Sequence, residues 1–151
     1  AIAELAGVHS ACDLSDGLGS SVLNVVRPGH GAILHFDHLP FHPLARESAE
    51  ARGVDLLPYA FGVGDWGILY AVDACLRPEL ERLKQEGLSI SIVGRVVPLE
   101  GVYLERGETF LMSFSENEHF RHRMEDQGEY FVAHEASIVA RPISDANPTS
   151  L

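Results

Sequence analysis

The apolar positions of this chain fall into short segments with either helical or strand spacing, and Gly or Pro residues separate most of them. Within residues 17–27 the apolar side chains recur on one helical face, which predicts an amphipathic helix that ends at Pro28. Further helical segments are predicted at 2–7, 44–52, 79–86 and 116–126. Strands are predicted at 8–14, 32–37, 67–73 and 89–97, and a hairpin at 101–114.

Helices and strands alternate irregularly in this order, which predicts an α+β fold in which helices pack on a mixed sheet. Residues 55–65 contain one Pro and two Gly and are predicted to form a turn-rich connection. We expect one domain over 1–128 and a partly ordered C-terminal extension over 129–151. The sequence leaves open whether this extension adds a strand, exchanges between subunits or is disordered.

Composition narrows the classes of protein to consider. The 151 residues suffice for one domain, and the net charge of −11 argues against binding a nucleic-acid backbone. The two cysteines lack metal-type spacing and do not suggest a disulfide framework, so we expect a reducing, cytoplasmic setting. No apolar run reaches the roughly 18–20 residues of a membrane span. Because the chain begins at Ala1 rather than Met, we interpret it as the middle of a longer protein or as a shortened form, and the sequence leaves open whether Ala1 is a natural start.

Asp, Ser and Gly residues concentrate at 13–21, directly before the predicted helix 17–27. A helix start presents unpaired N–H groups and the positive end of the helix dipole, which can hold an anion. The neighbouring carboxylates of Asp13 and Asp16 could hold the cation that accompanies it, so the pattern is typical of phosphate with magnesium. The alternative is that both aspartates serve only as a helix cap and a turn residue.

Other residues suggest hypotheses about substrate binding, a reactive thiol and zinc binding. Asp65-Trp66 could form a substrate lip with a stacking indole, or a tight turn whose tryptophan covers the core. Cys12 could be a reactive thiol near a helix start, although a small apolar role is the simpler interpretation. Zinc has to be considered for histidines, but their spacing does not gather them at one point; they are His30, His35, His38 and His42, with His119 and His122 as a second candidate pair.

Several motifs together resemble the C-terminal domain of the aminoimidazole ribonucleotide synthetase superfamily. They are Asp13-Leu14-Ser15-Asp16-Gly17-Leu18, Leu39-Pro40, the Gly-rich turn around Asp65 and Ile92-Val93-Gly94-Arg95-Val96. The first motif is most similar to that of the thiamine-monophosphate kinases, and Asn117-Glu118-His119-Phe120 is similar to a Gly-x-Asp-His-Phe motif of those enzymes. The resemblance covers residues 2–120 and implies a three-layer α/β/α domain related to the ferredoxin-like arrangement.

The resemblance also implies a function. A complete member would be an ATP-dependent phosphotransferase, in which this domain helps to position Mg-ATP and a small phosphorylatable molecule. By motif matching, Asp13 and Asp16 would face the metal, Ser15 and Gly17 the phosphates, and Asp65 and Trp66 the substrate. A preceding domain would supply most of the ATP-binding residues and form a homodimer, so we expect this chain to be inactive alone.

The chain departs from the kinase pattern at one motif. The kinases have Gly-Gly-Glu-Asp-Tyr-Glu where this chain has Gly62-Val63-Gly64-Asp65-Trp66-Gly67, so both glutamates are replaced by glycines. This favours the alternative function, a non-catalytic ligand-binding or oligomerisation domain that has kept the fold. The substrate is not identified by the sequence.

Overall fold

The structure, a computed structural model, describes residues 2–62, 65–113 and 138–143. Within these residues the strands are β1 (Val8–Asp13), β2 (Gly31–His35), β3 (Ile68–Val72), β4 (Gly94–Val97), β5 (Gly101–Arg106), β6 (Glu108–Ser113) and β7 (Val139–Pro142). The α-helices are α1 (Leu18–Val25), α2 (Pro43–Arg52), α3 (Leu57–Phe61) and α4 (Arg77–Gln85), and short 3₁₀ turns lie at Ile2–Glu4, Phe36–His38 and Ala74–Leu76.

The described strands form two sheets. The larger one has the order β4-β2-β5-β6-β7, in which β2 and β5 run parallel and the other neighbours are antiparallel. In the smaller one β1 pairs with β3 antiparallel, and we call this two-stranded sheet the β1–β3 ribbon. The predicted α+β class with a mixed sheet is confirmed.

Helix α1 lies between the ribbon and the larger sheet and contacts strands of both. Its apolar face contributes Leu18 and Val22 to a core whose centre is formed by Leu34 of β2 together with Val102 and Leu104 of β5. Burying each such side chain stabilises the fold by about 1.5–3 kcal/mol. The predicted face of the helix is therefore the one that packs, and α1 joins the two sheets into one body.

Helix α2 shows how local signals set an element's ends. Pro43 occupies the first turn, where its missing N–H costs nothing, and His42 Nδ1 accepts a hydrogen bond from the Leu44 N–H at 3.2 Å. Gly53 ends the helix in the left-handed conformation, with φ 63° and ψ 31°, as expected of a glycine at that position. The helix predicted at 44–52 is confirmed.

Several predicted elements differ from the structure. The helix predicted at 2–7 is only a short 3₁₀ turn, Ile2–Glu4. The connection 55–65 contains helix α3, because Pro58 lies in its first turn, where proline is compatible with a helix. The strand predicted at 89–97 is shorter, since β4 begins only at Gly94 and matches the short strand β2 beside it. Among the described residues, none of the helices has the length and apolar character needed to cross a membrane.

The segment 138–143 adds a strand to the larger sheet. Strand β7 pairs antiparallel with β6, with Met112 opposite Ala140 and Leu111 opposite Arg141. Of the possibilities left open for the extension, addition of a strand is the one seen for this segment. The helix predicted at 116–126 and the motif at 117–120 lie outside the described residues.

Candidate functional site

The motif at 13–17 forms a tight turn between β1 and α1. Strand β1 ends at Asp13, and the Gly17 N–H donates to the Leu14 carbonyl oxygen at 3.0 Å. Gly17 has φ 84° and ψ 158°, a backbone conformation essentially restricted to glycine. A Cβ at this position would lie 2.5 Å from the Phe61 carbonyl oxygen, so the turn packs directly against the end of α3. Gly17 is therefore required by both conformation and space.

Ser21 anchors this turn from inside the protein. Its side chain is fully buried, and Oγ lies 2.6 Å from the Asp13 carbonyl oxygen and 3.0 Å from that of Gly17. A buried hydroxyl with hydrogen-bond partners avoids the penalty of an unsatisfied polar group. Helix α1 is thus bonded to both ends of the turn that precedes it.

The polar side chains of the turn face solvent. Asp13 and Asp16 are exposed and Ser15 is half-buried, with Ser15 Oγ donating to Asp13 Oδ1 at 3.1 Å. The residue at the N-cap position of α1 is Gly17, so neither aspartate occupies it. The carboxylates of Asp13 and Asp16 remain accessible to a ligand in solution.

The segment 65–67 lies beside this turn. The register of the ribbon places Asp13 opposite Ile68, and the Leu14 N–H donates to the Gly67 carbonyl oxygen at 3.1 Å. The structure therefore brings together the two segments that contain the predicted metal, phosphate and substrate residues. They are separated by some fifty residues along the chain and meet only because β1 pairs with β3.

Asp65 and Trp66 extend into solvent from this segment. Trp66 is 99% exposed, and its N–H donates to Asp65 Oδ1 at 2.7 Å. The interpretation of Trp66 as a cover for the core is wrong for this chain, because its indole contacts so little of it. A planar aromatic side chain beside a carboxylate is available here to a ligand or a partner.

The donor set of the site suits a hard cation. Asp13 and Asp16 offer carboxylate oxygens, and Mg²⁺ is commonly held by one or two carboxylates with phosphate oxygens and water. In the described part of the chain, no group of three or more His, Cys, Asp or Glu side chains is arranged to hold a metal ion. A cation at this turn would therefore need ligands from a phosphate or from another protein segment.

The histidines considered for zinc take separate local roles. Arg27 donates to His30 Nε2, His42 bonds to the start of α2, and His35 Nδ1 lies 3.4 Å from Glu105 Oε2. The His38 ring lies against that of His35, with ring centroids 5.2 Å apart. The described histidines thus do not converge on one point, and His119 and His122 lie outside the described residues.

Cys12, next to the turn, is half-buried, and its Sγ accepts a hydrogen bond from Asn24 Nδ2 at 3.7 Å. It lies on the face of β1 that is turned towards α1, as does Ser10, whose Oγ donates to the Val25 carbonyl oxygen. This position agrees with a packing role for the thiol.

Two residues matter more to the site than the sequence suggested. Ser21, the last residue of the segment 13–21, lies on the apolar face of α1, and a serine among apolar positions is the signal for an internal hydrogen bond. In the sequence, Gly67 stands where the kinases have a glutamate. A Cβ there would lie 2.6 Å from Leu14 Cδ1, so any other residue requires the end of the flexible Leu14 side chain to move.

Comparisons of this chain with models of protein families, with characterised proteins and with solved structures give no match. The turn 13–17 and the segment 65–67 are therefore the features from which a function can be inferred.

Proposed function

We propose that this chain contributes half of a Mg-ATP site to an ATP-dependent phosphotransferase of the aminoimidazole ribonucleotide synthetase-related superfamily, most similar to thiamine-monophosphate kinase. In this proposal the domain has the superfamily's C-terminal three-layer α/β/α fold. The observation that carries it is the hydrogen bond between Leu14 and Gly67, which joins the turn 13–17 to the segment 65–67. Residues with phosphate, cation and ring-stacking chemistry thereby meet at one place.

The turn suits an anion accompanied by a cation. The Ser15 hydroxyl and the Gly17 backbone lie at the start of α1, where the helix dipole favours negative charge. Asp13 and Asp16 would hold Mg²⁺, which neutralises phosphate charge when it is bound. An acidic protein can bind a nucleotide in this way because the metal ion separates the two sets of negative charge.

The segment 65–67 suits the second substrate. The exposed indole of Trp66 offers a flat surface for a ring, and Asp65 can accept a hydrogen bond from it. Phosphoryl transfer depends mainly on positioning and charge neutralisation, so this half of the site would act by placing groups. The other half would come from a companion nucleotide-binding domain.

The first prediction concerns the Asp16 side chain. We expect Mg-ATP, added to the isotopically labelled chain, to shift the NMR amide signals of residues 15–19 with a dissociation constant of about 1 mM or weaker. Asp16→Asn should abolish most of these shifts, because it removes a carboxylate from the cation. Asp37→Asn, at an exposed acid in the 3₁₀ turn Phe36–His38, is the matched control and should leave them unchanged.

The following results would contradict this proposal. Shifts that are the same without Mg²⁺, or that appear away from the turn, would show that the aspartates do not hold a cation with the phosphates. Micromolar affinity of the chain alone would contradict the idea of a half-site. If the chain did not bind Mg-ATP at all, the alternative of a non-catalytic domain would be favoured. The packing of Gly67 against Leu14, at a position where the kinases have a glutamate, also favours this alternative.

A further inference from the structure

The free edge of β3 differs from the other free strand edges of the described structure. An exposed edge invites pairing with another chain, and proteins protect it with charges, prolines, bulges or very short strands. The edge strand β4 has only four residues, including Arg95, and β7 contains Arg141 and Pro142. Strand β1 has a register irregularity between Val8 and Ser10. Each of these three edges is protected.

Strand β3 has none of these protections. Its sequence, Ile-Leu-Tyr-Ala-Val, lacks charge and proline, and its pairing with β1 is regular from Ile68 to Ala71. The register places Ile68 on the face of the ribbon turned away from α1, and strand alternation places Tyr70 and Val72 on that same face. Ile68 is 58% exposed. Within the described residues, the second edge of β3 pairs with no strand.

We propose that β3 pairs antiparallel with β3 of a second copy of this chain, across a two-fold axis at Tyr70. A two-fold interface uses the same surface on both copies, and an uncharged strand of five residues is self-complementary in this arrangement. Ile68 then lies opposite the partner's Val72. The two ribbons become one sheet of four strands, β1-β3-β3-β1, which is more stable than a ribbon of two.

The same register gives the exposed tryptophan a partner. Trp66, two residues before Ile68, comes to lie opposite the partner's Ala74, at the start of the 3₁₀ turn Ala74–Leu76. Trp66 is 99% exposed and Ile68 58% exposed, so the pairing takes apolar surface of both copies out of water. The second copy thus contributes to the surroundings of Asp65 and Trp66. This inference does not depend on the proposed function.

The test is the association state of the full chain. We expect sedimentation velocity between about 1 and 200 µM to show a monomer–dimer equilibrium. The emission of Trp66, the one tryptophan of the chain, should shift to shorter wavelength as the dimer forms, because the indole leaves water. A monomer throughout this range would overturn the proposal, as would assemblies larger than the dimer, since a two-fold contact closes.

Lysine substitutions test whether the free edge of β3 forms the dimer contact. Tyr70→Lys places like charges opposite each other at the axis and should weaken the dimer about tenfold or more. Ile68→Lys should also weaken it, and circular dichroism shows whether each variant is folded. Val96→Lys, at an exposed residue of the protected edge β4, is the matched control and should dimerise as the original chain does. A dimer that survives both ribbon substitutions would refute the pairing.

Discussion

The five-stranded sheet and the β1–β3 ribbon differ in how their strands are surrounded. Four of the five residues of β2 are buried, whereas β1 alternates half-buried and exposed residues. The large sheet holds the apolar core, and the ribbon holds the turn 13–17 and the segment 65–67 at its end. The residues of the apolar core and the candidate site residues therefore lie in different sheets, and α1 is the element that connects the two sheets.

This division between the two sheets allows the site to be polar. A ligand site needs accessible carboxylates and backbone groups, and these add little to folding stability when they are exposed. The buried side chains of β2, β5 and α1 supply the favourable hydrophobic term instead. In the ribbon, Ser21 and the close contact of Gly17 help to hold the turn in place.

The largest expected effect lies in the large sheet. Leu104→Ala removes a side chain that is 1% exposed and should lower the free energy of unfolding by about 3 kcal/mol, because it leaves a cavity in the core. Leu44→Ala, at a residue 64% exposed on α2, should change it by less than about 0.5 kcal/mol. Urea unfolding measures both. Equal effects would mean that the large sheet does not hold the core.

An intermediate effect is expected at the turn. Gly17→Ala should lower the free energy of unfolding by about 2–3 kcal/mol, since it forces a strained backbone conformation and a Cβ against the Phe61 carbonyl. Gly29→Ala is the control, because Gly29 also has positive φ, at 76°, but nothing within 4 Å of its Cβ position. It should cost about 1 kcal/mol by thermal or urea unfolding. If both variants lost the same stability, the contact between the turn and α3 would be unimportant.

The smallest effect is expected at a surface ion pair near the large sheet. Burial alone would raise the pKa of Asp55, but hydrogen bonds from the Leu57 N–H and the Arg106 guanidinium outweigh it and lower that pKa. The resulting stability is present above the ordinary carboxyl pKa of 3.8 and is lost as the pH falls through the lower value in the folded protein. Because both side chains are more than one-third exposed, solvent screening reduces the contribution to about 0.5 kcal/mol.

Asp55→Asn tests this ion pair and shows how much charge contributes to stability relative to packing. Urea unfolding at neutral pH should show the small loss of stability. The difference between Asp55→Asn and the original chain should shrink as the pH falls through the lowered pKa of Asp55 in the folded protein, because the carboxyl then becomes protonated in both states. A loss as large as that of Leu104→Ala would show that charge, rather than packing, stabilises this side of the molecule.

Local signals in the sequence predicted individual elements well. Pro43 and Gly53 are compatible with only a few positions in a helix, so they set the ends of α2. The apolar face of α1 follows from its spacing, because one helical face must pack. Pro58 shows the limit of such signals, since proline is found both in turns and in the first turn of a helix.

Pairing between distant segments could not be predicted in the same way. The division of the strands into two sheets depends on which edges meet, and the residues of β2 are compatible with several neighbours. The approach of Gly67 to Leu14 follows from the β1–β3 register, which the sequence does not display. Exposure of Trp66 is a consequence of the same tertiary arrangement. The roles of Asp13, Ser15, Asp16, Gly17, Asp65 and Trp66 in binding stay predictions.

The position of β2 in the larger sheet also affects how the chain folds. This central strand comes early in the sequence, yet both of its neighbours, β4 and β5, lie at residues 94–106. A ribosome must therefore synthesise most of the chain before β2 can form either ladder. Contacts between such distant residues slow folding, and helices α1 and α2 can form well before the sheet that they accompany.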